Sequence, residues 1–210
     1  MFKHFLLRFA VVAGFLSVRF VFIRQAVNER RLGELNNAFI ALAFNDTVTG
    51  TLNKKAMEAY RAYVADNLSP EKVSVIIYDI DNFKSYNDYY SHIKGDEVLK
   101  NISECVLNVL DKTGLYLFRF GGEEFVIILP DADESAAVRK SLEMLEAIRS
   151  AAILRDDLTK ENIVTASFGV ACGTTEELNN LSILFKADRQ LYVSKNSGKN
   201  SVAASNVLYS

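Results

Sequence analysis

The order of apolar and polar positions divides the chain into a hydrophobic head and an alternating body. Phe5 to Ile23 reads FLLRFAVVAGFLSVRFVFI, and as a helix rising about 1.5 Å per residue it nearly matches a hydrocarbon core of about 30 Å. Arg8 and Arg19 interrupt the run. On a helix they fall about 20° apart, a narrow basic stripe on an apolar rod. Three placements fit such a rod: a spanning helix with both arginines snorkelling, a helix lying in the membrane plane, or one buried against protein or a second chain. A cleaved signal peptide fits less well, because the arginines break the apolar core and no small-residue cleavage site precedes Arg24. If the helix spans, Arg19, Arg24, Arg30 and Arg31 outnumber Lys3 and Arg8, which sets the body in the cytoplasm. Val27, Leu32, Leu35, Phe39, Leu42 and Ala43 then recur at three- to five-residue steps, predicting a helix to about Ala43. It reads either as a solvent-crossing connector or as a parallel stalk that pairs two chains.

The body alternates between strand and helix patterns. Asn53 to Asn67 carries Met57, Tyr60, Tyr63 and Val64 at helical spacing behind an N-capping Asn53. Val73 to Ile80, VSVIIYDI, is a β-branched strand closed by acids, and Leu115 to Leu129 holds two apolar runs around GGEE, a hairpin. Residues 134–150 are helical in pattern, 164–171 alternate as a strand, and Leu181 to Lys195 is helical again. This predicts an α/β or α+β domain with one sheet covered by helices. The expected division is a basic hydrophobic helix over 1–25, a helical linker over 26–44 and a catalytic domain over 45–205.

With half its residues hydrophobic and only two prolines, the chain can bury a core. The net charge of −2 hides an asymmetry: residues 1–31 hold six of the 24 Lys and Arg but one of the 26 acids. A basic head on an acidic body suits a membrane surface or a partner helix and argues against a nucleic-acid partner, which wants positive charge over the folded face. Cys105, Cys172, His4 and His92 are scattered, so neither a disulfide framework nor a zinc site is expected.

Two acidic groups carry the candidate chemistry. Asp79 and Asp81 close a strand, where alternation sets both carboxylates on one side and a sheet can present them to a cation. Glu123 and Glu124 follow Gly121 and Gly122, whose freedom at positive φ allows a close ligand approach. Magnesium-dependent phosphoryl or nucleotidyl transfer needs hard oxygen ligands from separate segments around one cation, and these two segments supply them. Lys84, Lys195 and Lys199 add positive charge for a polyphosphate, and the glycine of KNSGKN admits an anion to the backbone.

FRFGGEEF, with DIDNFKSYNDYYSHIKGDEVL before it and ASFGVA and ADRQLYVSKNSGKN after it, resembles the GGDEF domain family of diguanylate cyclases. The likeness runs over about residues 42–203, and NDTVTGTLNKK is similar to the family's opening DxLTGLxNRR. The resemblance implies a nucleotidyl cyclase or polymerase-palm fold, a central five-stranded sheet flanked by helices. It implies condensation of two GTP into cyclic di-GMP across a homodimer, on magnesium or manganese, two ions per active site. By matching positions, Asp79, Glu123 and the Ile80 carbonyl would ligate metal, and Glu123 or Glu124 would assist deprotonation of the 3′-hydroxyl. Asn87 and Asp96 match the guanine-reading positions, where a carboxylate can accept from guanine N–H groups. His92 lies between them; Lys84, Lys195 and Lys199 would contact phosphates; Arg119 would support the turn or contact a partner. The catalytic domain is expected in the cytoplasm, with residues 5–23 a possible contact with the inner membrane.

Departures from the pattern matter too. Lys112 and Leu115 stand where the family's product-inhibition Arg-x-x-Asp would be, so that feedback is expected to be absent. Ser91 replaces a glycine before the histidine, which should strain the loop leading to Asp96, and Lys199 trades an arginine fork for a point charge. The alternative to an active cyclase is a weak or inactive module that binds GTP and signals through the N-terminal helix.

Overall fold

A computed structural model of the chain describes residues 30, 40, 42–111, 113–156 and 162–210. The chain divides into two units, Met1–Ala43 and Phe44–Ser210. In the first, Arg30, Ile40, Leu42 and Ala43 are helical; the readings made on residues 5–23 lie outside the described residues. Among the described residues no helix is long and apolar enough to cross a membrane.

The second unit is built on one seven-stranded sheet. Its elements run β1 (Leu52–Asn53), α1 (Lys54–Tyr63), a π-helical turn (Val64–Leu68), β2 (Val73–Ile80), α2 (Phe83–Tyr90), α3 (His92–Leu110), β3 (Phe118–Gly121), β4 (Glu124–Pro130), α4 (Glu134–Ser150), β5 (Ala166–Gly173), α5 (Thr175–Asn179), α6 (Ser182–Asn196), β6 (Val202–Ala204) and β7 (Val207–Tyr209). The strand order is β1-β3-β4-β2-β5-β6-β7. β2 is central and antiparallel to both β4 and β5. All eight of its residues are buried, as an uninterrupted β-branched run requires when both sheet faces are covered.

Period-two alternation sends its residues into two cores. Ile76, Tyr78 and Ile80 pack under α2, α3 and α4, while Val73, Val75 and Ile77 pack under α1 and α6. Tyr78 is opposite Phe125 and Phe168 in register and lies 4.9 and 5.0 Å from their ring centroids, so one aromatic stack bridges three strands. On the other face α6 presses on β5 at Gly169. A Cβ there would stand 2.2 Å from the Ala187 carbonyl oxygen and the Leu191 nitrogen, so only glycine lets the helix approach this closely.

The expected sheet is present and wider than the five strands the resemblance implied. The two-residue β1 and the hairpin β6–β7 join the four strands read from the pattern; the hairpin turns through Ser205 (φ 47°) and Asn206 (φ 61°), a left-handed pair without the Asn-Gly signal. The helix behind Asn53 forms as expected, with the Asn53 side chain accepting from the Ala56 N–H, but its last turn widens to π geometry where Ser69 turns left-handed (φ 43°). The apolar pattern carries no signal for helices α2 and α3, because α2 is polar on most of its surface and α3 begins inside the polar SHIKGDE stretch.

Candidate active site

The two aspartates that close β2 divide between two tasks. Asp81 is fully buried, and its carboxylate accepts from the Thr165 hydroxyl (2.8 Å), the Ser167 hydroxyl (2.7 Å) and the Asn200 N–H (3.0 Å). It therefore joins the end of β2 to β5 and to the loop after α6, and its oxygens are turned to protein rather than to a cation. Here the expectation of a cation-facing pair is corrected: Asp81 passes the strand's end and is captured by donors. Asp79, at 6% exposure, keeps a single ion pair among the described residues, its Oδ2 lying 2.7 Å from the Lys195 ammonium on α6. Burial raises its carboxyl from 3.8 to about 6; Lys195 opposes the shift, and the charges of Glu123 and Glu124 add to it.

The second acidic segment meets the first by register. Glu124 opens β4 directly opposite Asp79, and the Ile80 N–H donates to the Glu123 carbonyl at 3.4 Å. Gly122 makes the turn at φ 53°. Arg119 fixes that turn: Nε and Nη2 both donate to the Gly122 carbonyl (2.9 and 2.7 Å) and Nη1 pairs with Asp46 at 2.8 Å. Its guanidinium thus engages both the turn and Asp46. Asp46 also accepts from the Thr49 N–H and hydroxyl (2.9 and 2.8 Å). Burial opposes its ionisation, yet these donors and Arg119 hold its carboxyl below the usual range. Glu124 lines a cavity of about 190 Å³ under α6 with Ile77, Phe120, Leu184, Phe185 and Asp188.

Asn87 and Asp96 lie either side of the contact between α2 and α3. Gly95 makes that contact possible, since a Cβ on it would fall 1.8 Å from Asn87 Oδ1. That oxygen is buried without a hydrogen-bond partner, a costly state that a bound donor would relieve. His92 and Asp96 are exposed on the first turns of α3, and Lys84 is exposed on α2. Lys199 sits in a left-handed conformation (φ 65°) and donates its ammonium to Asn82 Oδ1. Among the described residues no three carboxylate, thiol or imidazole groups converge on a ready-made metal cage. Asp79, Glu123 and the Ile80 carbonyl still offer the oxygen donors of a cation that is completed by water and substrate phosphates, which is how magnesium is commonly held.

The profile described as "Diguanylate cyclase, GGDEF domain" matches residues 43–201. The chain belongs to the GGDEF domain family. The chain is 30% identical over 158 residues to the cyclic di-GMP phosphodiesterase PdeR of Escherichia coli, covering 75% of this chain and 23% of that one. It is 33% identical over 168 residues to the diguanylate cyclase VdcA of Vibrio cholerae, covering 76% and 46%. It thus spans less than half the length of these two relatives. The structure of the coiled coil and GGDEF domain of DgcB from Caulobacter crescentus, in complex with c-di-GMP, superposes with a TM-score of 0.78 at 25% identity, over 90% of this chain and all of that one.

Within this GGDEF domain the residues that sequence reasoning passed over are those behind the site: Asp46, Asp81 as an anchor, and Arg155. Asp81 and Arg155 are buried, Asp46 is partly so, and each has a partner distant in sequence. Of the product-inhibition positions, Leu115 packs against the core and Lys112 lies outside the described residues.

Ser91 occupies φ 101°, ψ 159°, a region essentially reserved for glycine. Ser91→Gly should therefore raise unfolding stability by about 1–2 kcal/mol in urea denaturation, against the usual penalty for glycine. A second expectation concerns Asp79. Its folded-state carboxyl, at about 6, is raised above the ordinary 3.8, so its contribution favours folding at low pH and is lost as pH rises through 6. Metal-free Asp79→Asn should then exceed the parent in stability at pH 8 by up to roughly 3 kcal/mol and lose the advantage below pH 4, as read by thermal or urea unfolding in chelator.

Proposed function

We propose that this GGDEF domain condenses two molecules of GTP into cyclic di-GMP. Each domain of a homodimer holds one GTP; each 3′-hydroxyl oxygen bonds to the partner nucleotide's α-phosphorus, the bond to the bridging oxygen breaks, and pyrophosphate leaves. The observation that carries the reading is the buried Asp79 carboxylate, in register with the GGEE turn and balanced by the Lys195 ammonium. Such a charge in a dry site invites a stronger cation.

Magnesium or manganese, two ions per site, would be held by Asp79, Glu123 and the Ile80 carbonyl, and would polarise the α-phosphate and make the attacking hydroxyl more acidic. Lys195, released from Asp79, then turns to the phosphates with Lys84 and Lys199. Glu123 or Glu124 takes the hydroxyl proton. The Asn87 amide and the Asp96 carboxylate read guanine, the latter by accepting from its N1 and N2 hydrogens, and His92 borders them. With leucine at position 115, the product should not inhibit through the family's Arg-x-x-Asp site. The strained Ser91 favours a second reading, a GTP-binding module of weak turnover whose signal passes through the N-terminal helix.

Purified full-length protein incubated with GTP and magnesium, its products resolved by mass, separates the two. Cyclic di-GMP should accumulate linearly, without slowing as product builds, and Glu123→Ala should lower the rate by at least about a hundredfold. Asp96→Ser should lower the preference for GTP over ATP. Saturable GTP binding with no product from the parent would instead establish the binding module.

A further inference from the structure

Helices α2 and α3 are joined by a single residue. Tyr90 closes α2, His92 opens α3, and Ser91 between them donates its N–H to the Asn87 carbonyl (2.9 Å) and accepts the Gly95 N–H at its own carbonyl (3.1 Å). The angle between the two helices is therefore set at Ser91, which stands at φ 101°, ψ 159°. A residue with a side chain is strained in that region and persists there only where its surroundings over-determine it. Asn87 on α2 and Asp96 on α3 are the two base-reading candidates, so the strained residue also sets how they stand relative to each other.

Tyr90, the residue before it, is tied down. Its half-buried ring packs against the core and on Tyr86 and Tyr89, with 4.5 and 4.6 Å between ring centres, and its hydroxyl accepts the Asp156 N–H at 2.6 Å. Asp156 is a firm point of attachment. Val164 N–H donates to the Ile153 carbonyl (2.8 Å) and Arg155 N–H to the Asn162 carbonyl (3.0 Å), which fastens this segment to the chain entering β5. The guanidinium of the buried Arg155 donates to the Asp81 and Asn82 carbonyls (2.9 and 3.2 Å), which fastens it to the end of β2. Helix ends fray unless something holds them, and here the hydroxyl joins the last residue of α2 to that frame. The cost of the strain at Ser91 and the net worth of one neutral hydrogen bond are of the same order. The tie is thus strong enough to hold Ser91, and its loss would shift the junction without unfolding the domain.

We infer that Tyr90 is a positioning residue for base recognition: its hydroxyl never touches the nucleotide, but by holding the end of α2 it keeps Ser91 in the strained conformation that sets Asn87 and Asp96 at one spacing. The inference rests on the GTP reading above.

The test is a double-mutant cycle read by equilibrium binding, to the full chain in magnesium, of the α,β-methylene analogues of GTP and ATP and of inorganic tripolyphosphate. Tyr90→Phe keeps the ring and removes the acceptor; Ser91→Gly removes the strain that the acceptor opposes. Folded fractions are set by urea titration. Tyr90→Phe should lose about fivefold in affinity for the GTP analogue, an effect the size of one neutral hydrogen bond, and stay within about twofold for the ATP analogue and for tripolyphosphate. In the Ser91→Gly background the same substitution should cost less than about twofold, because glycine adopts that conformation without strain. An equal loss for all three ligands, the same loss in both backgrounds, or no loss for any would overturn the positioning role while leaving the GTP reading intact. A parent that binds the GTP analogue no better than the ATP analogue would overturn both.

Discussion

The Asp81 carboxylate is the fixed point of the domain. It lies where β2 ends, and its three donors come from Thr165 and Ser167 at the start of β5 and from Asn200 beyond α6. A buried carboxylate is tolerable only when such donors replace its water, and losing one of them would leave charge uncompensated in the interior. The same knot sets the rest. Arg149 holds Asn200 by its side chain (2.9 Å) and carbonyl (2.7 Å), so α4 is tied to the loop that carries Lys199. Thr165 accepts the Asp81 N–H through its carbonyl (2.8 Å), closing the strand pair behind the site.

Two residues away, Asp79 has the opposite environment, and the difference is one of supply. Asp81 is ringed by short-range donors that cannot leave; Asp79 has a lysine on a long, flexible stem, one-third exposed. A neutral donor ring makes an anchor, whereas a removable counter-charge makes a site that can exchange one cation for another. Glu123 and Glu124 add negative charge to it, and burial strengthens each of these interactions. The close seat of α6 on Gly169 gives Lys195 its reach, so a packing constraint on one face of β5 sets the electrostatics at the end of β2.

Much of this was legible in the letters. The central strand read out to its last residue because its apolar run is continuous, and the GGEE turn because two glycines punctuate it. Helix α4 and the Asn53 cap followed from periodicity and capping chemistry. The strain at Ser91 was legible as a departure from the family's glycine, and the backbone there takes the left-handed angle that the departure implied. What could not be read were long-range pairings of ordinary polar residues. Nothing local marks Asp81 as closed and Asp79 as open, since both satisfy the same alternation. Nothing in the letters around Arg155 marks it as the donor to the Asp81 carbonyl, 74 residues away in sequence. The contacts of Arg119 with the Gly122 carbonyl and with Asp46, 73 residues away in sequence, were likewise invisible in the letters.

The central claim is that Lys195 stands at Asp79 in place of a divalent cation. A crystal of the full chain grown with manganese and the α,β-methylene analogue of GTP, with manganese located by its anomalous scattering, tests it directly. The account predicts a manganese peak at coordination distance, about 2.2 Å, from Asp79, with the Lys195 ammonium moved off that carboxylate and onto phosphate. Manganese bound elsewhere, or an Asp79–Lys195 pair that persists beside the bound nucleotide, would contradict it.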